Sequence, residues 1–195
     1  MFHMRDDATQ RIPAGGPEYT IKKVEDNYST KYYYFLIPLF FVYLSKFNKI
    51  LIKIHSIFRR VSAEMTMPHY MTRKAMPGAE LVLDENELPV YQGETKVDFT
   101  VAIPHKCTAA GSKCPVIVYG HGLLGTQDQV LAGTCQDVAN TYGYIICGVD
   151  MWGMSAADVP FIAERILTDL GGINIIPDRS HQGMLNQLML IKLMV

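Results

Sequence analysis

Net charge is almost absent from this chain. Its 195 residues carry 18 Lys/Arg and 19 Asp/Glu, a formal charge of −1. That balance offers no electrostatic footprint for nucleic acid. Long hydrophobic runs are lacking too. The one sustained run, Tyr32 to Leu44, is broken by Pro38 and falls short of the roughly 20 residues that cross a bilayer as a helix. The start, Met1-Phe2-His3-Met4-Arg5-Asp6-Asp7, has no apolar stretch behind it and so is not a secretory signal. No Cys-x-x-Cys pair occurs, and His3, His55, His69 and His105 are scattered, so no metal site and no cofactor is expected. With 49% hydrophobic and 19% charged residues, the composition excludes a disordered tail, a collagen and a coiled coil. A globular domain with its own core is what remains.

The charges are unevenly placed. Residues 1–75 hold 12 Lys/Arg against 6 Asp/Glu, and residues 76–195 hold 6 against 13. Three regions follow. Residues 1–30, with Pro13, Gly15, Gly16 and Pro17, show no hydrophobic period and read as an irregular segment. Residues 31–58 are compositionally biased. Nineteen of these 28 residues are Phe, Tyr, Ile, Asn or Lys, and none is Gly, Ala, Asp or Glu. Those favoured residues are the ones AT-rich codons encode, so translated intron or another insertion is one reading. A membrane anchor or basic interfacial helix over 32–58 is another, and an ordinary apolar segment a third. Residues 59–195 form the third region. Asn27-Tyr28-Ser29 fits a glycosylation triplet, a pattern that also arises by chance.

From Glu80 the patterning sharpens. Leu81-Val82-Leu83 reads as a short strand. Lys96 to Ile103 alternates, with Val97, Phe99, Val101 and Ile103 on one face, as a half-buried strand does. Pro115 to Tyr119 and Tyr144 to Val149 are apolar runs of the kind buried on both faces of a sheet. Helical spacing spans Asp128 to Tyr142, stopped by Gly143. Two more helices follow, capped by Asp158 and Asp178, the last bearing Met184, Leu185, Leu188 and Ile191. This alternation predicts an α/β fold with a mostly parallel sheet. Cys107 and Cys114 bracket a short polar loop that a disulfide can close, while Cys135 and Cys147 read as buried thiols.

Two loops fall at the C-terminal ends of predicted strands, where such sheets bind ligands: Gly120-His121-Gly122-Leu123-Leu124-Gly125, and Asp150 to Ser155 with Trp152 and Gly153. Glycines let the first loop turn sharply, and its amides can face a developing oxyanion. A plain strand-to-helix turn is the bland alternative. A phosphate loop is disfavoured, because neither Gly-x-Gly-x-x-Gly spacing nor a P-loop lysine is present. Here the chain resembles the α/β-hydrolase superfamily of lipases and esterases, in which the loop after the third strand carries a His-Gly oxyanion motif. Val116–Gly125, Val149–Ser155 and Pro177–Gly183 together are similar to a group of large lipase-like bacterial members, over residues 59–195. The resemblance implies a partial three-layer sandwich lacking its later strands. It implies Leu123 as an oxyanion donor, with Gly122 or Leu124 as the second, and His121 orienting the loop. The substrate implied for the parent enzyme is an ester or lipid.

A nucleophile elbow, Gly-x-Ser-x-Gly, is missing. The nearest match is Gly153-Met154-Ser155-Ala156-Ala157, and the implied fold requires another strand and a helix before its nucleophile. No Asp or Glu follows Asp178, so His181 has few acids to complete a triad with Ser155. Asp150 reads as an orienting acid. Three functions stay open at this point: a hydrolase fragment inactive alone, a membrane-associated or partner-binding protein anchored by 32–58, and a small esterase using Ser155. Whether the chain is an enzyme is left open. So is its compartment, although the resemblance leans towards secretion or a membrane. A hydrolase front part would leave an open sheet edge and an apolar patch, hence low solubility in isolation.

Overall fold

The computed structural model describes residues 1–29, 56–73, 76–109, 111–168, 171, 173 and 175–195. Most of the biased segment, 31–55, and with it the membrane-anchor and insertion readings, lies outside these residues. Its last three positions do not: Ser56 to Phe58 open a sheet strand.

Five strands form one sheet: β1 (Tyr19–Ser29), β2 (Ser56–Pro68), β3 (Glu94–Ile103), β4 (Val116–Val118) and β5 (Ile145–Val149). Their order is β1-β2-β3-β5-β4. The fold is α/β, but the sheet is not mostly parallel. β1–β2, β2–β3 and β3–β5 pair antiparallel, and β4–β5 alone is parallel. The reason is connectivity. A parallel neighbour needs a crossover connection, usually a helix, and among the described residues the stretch between β4 and β5 supplies one. That helix is α2 (Gly133–Tyr142), preceded by a 3-10 turn at Gln127–Leu131. The expected single helix from Asp128 is thus split at Ala132, whose ψ of 151° is extended. Gly143 ends α2 in the left-handed conformation that glycine adopts without strain, as its position predicts.

Helices cover both sheet faces. α1 (Phe2–Arg11) and α4 (Ile175–Met194) pack Met4, Ala8, Leu185, Met189 and Leu190 against Met65, Val97, Phe99 and Val149. On the other face, Leu131, Cys135 and Ala139 meet Ala102 and Ile146. β3 keeps its predicted alternation, Val97, Phe99 and Val101 being buried, and adds Thr100 and Ala102 where α2 covers the second face.

Residues 1–30 are not irregular. α1 presents only Met4 and Ala8 to the core, too few for an apolar stripe to show. It is held by polar contacts instead. Asp7 accepts from the Tyr70 hydroxyl at 2.6 Å and from Arg11 Nε at 2.8 Å. β1 is an edge strand that leaves Tyr19, Ile21 and Val24 exposed. Leu81–Leu83 forms isolated bridges, to Met71 and Pro89, rather than a strand. β4 is not buried on both faces. It is the border strand, and Val116 is exposed. In α4 the buried face is Gln182, Leu185, Asn186, Met189 and Leu190, while Met184, Leu188 and Ile191 are exposed. The last helix therefore turns a partly polar side inward, where Gln182 bonds Asn186 at 3.0 Å, Tyr70 N and Pro68 O.

Candidate functional site

β4 and β5 run parallel, so the loops that leave their C-terminal ends sit side by side. They are stitched by backbone: Leu124 N donates to Met154 O at 2.8 Å, and Ala156 N to Gly125 O at 2.8 Å. Gly125 and Ser155 form a parallel bridge. The two motifs that the sequence separates by some 30 residues thus make one surface.

His121 is buried between them. Its Nε2 accepts the Met151 amide at 2.9 Å, so the ring proton is assigned to Nδ1, which donates to Gly122 O at 2.8 Å. Both nitrogens are committed to backbone. A side chain so placed ties the two loops together through their backbones. Asp150 does the matching work from β5. Its Oδ1 accepts the Gln127 amide at 2.6 Å, fixing the start of the 3-10 turn. Burial raises the Asp150 carboxyl above its ordinary range, opposed by that amide and by His121.

Gly122 to Gly125 is a four-residue turn closed by Gly125 N donating to Gly122 O at 2.9 Å. φ is positive at Leu124 (56°) and not at Leu123. That is the type II pattern, whose third position ordinarily takes Gly or Asn. A leucine there is strained by about 1–2 kcal/mol, and such strain collects at ligand-binding loops. The turn decides which amides are open. Gly122 N donates to Gln129 Oε1 at 2.9 Å, and Leu124 N to Met154 O. Neither is available as the second oxyanion donor. Leu123 N has no partner among the described residues, and the residue is 78% exposed.

Ser155 is differently placed. It is 1% exposed, and its Oγ donates to Asp158 Oδ2 at 2.8 Å. Ser155, not Asp158, is the N-cap of the turn Ala156–Asp158 that leads into α3 (Val159–Thr168), with Asp158 completing a capping box. Asp158 Oδ2 also accepts the amides of Gly153 (2.8 Å) and Ser155 (3.2 Å), and its Oδ1 accepts Arg179 Nε at 2.7 Å. His181, in α4, has no hydrogen bond to Ser155 among the described residues. Ser155 is thus a buried N-cap whose hydroxyl is held by Asp158.

Trp152 and Gly153 are packed under α4. Arg179 lies 5.4 Å over the Trp152 ring. Gly153 has φ +85°, and a Cβ there would stand 2.6 Å from Ile176 O. A Cβ at Gly183 would meet Trp152 N at 2.6 Å. Asp150–Ser155 and Pro177–Gly183 are therefore in direct backbone contact. The Asp158–Arg179 pair and Gln129 were not legible in the sequence, since no spacing rule links residues 21 apart on different helices.

Cys107 and Cys114 form a disulfide with a Cα–Cα distance of 6.0 Å. Cys135 and Cys147 are free and buried, and burial pushes the Cys147 thiol up to about 12, far from a reactive thiolate. Among the described residues no group of three His, Cys, Asp or Glu could hold a metal, and no helix is long and apolar enough to cross a membrane. No family model, curated protein or solved structure matches the chain.

Proposed function

We propose that residues 59–195 are the front part of a lipase/esterase-like serine hydrolase and supply its oxyanion loop. The observation that carries this reading is the single open amide. Leu123 N has no partner among the described residues in the loop that follows a parallel strand, while the other three amides of the turn Gly122–Gly125 are bonded. A backbone N–H held in this way can stabilise the negative oxygen of a tetrahedral intermediate without reorganising. In α/β-hydrolases one donor comes from this loop and the other from the residue after the nucleophile. The β4–α2–β5 crossover, with both loops at its C-terminal edge, is the part of the sandwich that the reading requires.

The described residues hold no activated nucleophile, because Ser155 is committed to Asp158. In this reading the serine, its acid and its base belong to residues outside those described. Acyl transfer would then need the whole site, and this chain alone is inactive. Two measurements test that. Folded chain incubated with a fluorophosphonate stays unlabelled, and labelling that disappears in Ser155→Ala would establish the small-esterase alternative instead. A full-length transcript read finds a Gly-x-Ser-x-Gly codon run downstream of codon 195, followed by an Asp and a His. A message without that run counts against the hydrolase reading.

A further inference from the structure

We infer that Gln129 is the positioning residue of the oxyanion loop, holding the Gly122 amide so that Leu123 carries the unbonded amide of the turn Gly122–Gly125. This rests on the hydrolase reading for its catalytic meaning, though not for its geometry. Gln129 lies in the 3-10 turn at Gln127–Leu131, one turn beyond the loop, where its own amide donates to Thr126 O at 3.0 Å. From there the side chain folds back. Its Oε1 takes the Gly122 N–H at 2.9 Å. That donor fixes the amide's orientation, so Nε2 faces the other limb of the turn.

Gly125 makes room for it. A Cβ built on Gly125 would stand 2.3 Å from Gln129 Nε2, 3.0 Å from its Cδ and 2.9 Å from Gly122 O. The carboxamide thus occupies the space that a side chain at Gly125 would need. Gly125 has no positive φ, so its need for glycine comes from this close approach and not from backbone conformation. Consecutive amides in a turn with a left-handed residue converge on anions. Gln129 and Met154 each occupy one of these amides with a neutral oxygen. Within the turn Gly122–Gly125 this leaves the Leu123 amide as the unbonded donor rather than a row of open amides. A loop of this design suits one developing oxyanion, shared with a donor from elsewhere, better than a bound phosphate, which recruits several amides at once.

The test has two arms on the full chain, read by amide hydrogen exchange at residue resolution. In the wild-type chain Leu123 exchanges at the rate of an unprotected amide, and Gly122 is protected. Gln129→Met keeps the length and removes the acceptor, so Gly122 exchange rises by about tenfold, the loss of one hydrogen bond. Gln129→Glu keeps an acceptor oxygen and restores the protection. Gly125→Ala displaces the carboxamide from the opposite side and exposes the same Gly122 amide. If Gly122 exchange is unmoved by Gln129→Met, or Gln129→Glu exposes it equally, the inference is overturned. A second readout separates this from the hydrolase reading. In the full-length translation product, Gln129→Met slows fluorophosphonate labelling and Gln129→Glu retains it. Exchange that behaves as stated, with no labelling of any variant, leaves the brace in place and removes its role in acyl transfer.

Discussion

Asp158→Asn should be the most damaging single-atom change in this chain. The Asp158 carboxylate is 2% exposed and accepts four hydrogen bonds: from Gly153 N, Ser155 N and Ser155 Oγ on one oxygen, and from Arg179 Nε on the other. An asparagine has one acceptor oxygen and one NH2. Either orientation points that NH2 at donors, the Arg179 guanidinium or the three groups of the loop. It also removes the carboxylate that faces Arg179, whose side chain is 3% exposed. Breaking a buried ion pair from one side costs about 3–5 kcal/mol. For a chain of this size that lowers the thermal midpoint by roughly 6–20 °C, at about 2–4 °C per kcal/mol. Arg179→Met should cost less, because Asp158 keeps its three loop donors. The double variant removes both charges, and its cost should fall short of the sum by at least about 1 kcal/mol. Urea titration followed by circular dichroism on the four proteins measures this cycle. Strict additivity, or a cost below about 1 kcal/mol for Asp158→Asn, would refute the reasoning, because buried partners so close must couple.

Acid should release α1 before the rest of the fold. The Arg11 hydrogen bond holds the Asp7 carboxyl below its ordinary value against the opposing effect of burial. A carboxylate lowered on folding stabilises above its unfolded pKa, and that stability is lost as pH falls through and below the ordinary carboxylate range. The protection of amides 2–11, relative to their intrinsic exchange rate at each pH, should therefore fall as pH drops below about 4, and Asp7→Asn should abolish that dependence. Reducing the Cys107–Cys114 disulfide, which closes a loop with a sequence separation of 7, should cost about 2 kcal/mol in a urea titration with and without reductant. An unchanged midpoint would show that the loop is ordered without it. Ser29 pairs with Ser56 across β1 and β2. Replacing residues 30–55 by Asn-Gly should therefore give a closed hairpin in a chain that still unfolds in one cooperative urea transition. Loss of folding would mean that the deleted residues contribute to the core.

The elements that were legible are those whose burial follows a simple period. β3 alternates in sequence and in burial, and β5 is an uninterrupted apolar run with a glycine-stopped helix before it. What failed has identifiable causes. α1 is fastened by Asp7, Arg11 and Tyr70 rather than by an apolar stripe, so residues 1–30 looked irregular. β4 reads as a central strand because its composition is apolar, but pairing is a property of neighbours, and it has one. The inward face of α4 carries Gln182 and Asn186, which no hydropathy pattern would bury. At the candidate site, the glycine spacing and His121 pointed to the loop. The bonds that leave Leu123 as its open donor come from Gln129 and Met154, and only their three-dimensional placement reveals them.

Leu123→Pro tests the central claim most directly. Leu123 is the second residue of a type II turn, the position proline favours, and its N–H has no partner to lose. The substitution therefore deletes the one open donor and leaves the turn intact. The measurement is the rate of fluorophosphonate labelling of the full-length translation product with and without it. The account predicts a loss of about 100-fold or more, the usual effect of removing an oxyanion donor, at unchanged thermal stability. Labelling at the wild-type rate, or none in the wild-type product, would contradict it.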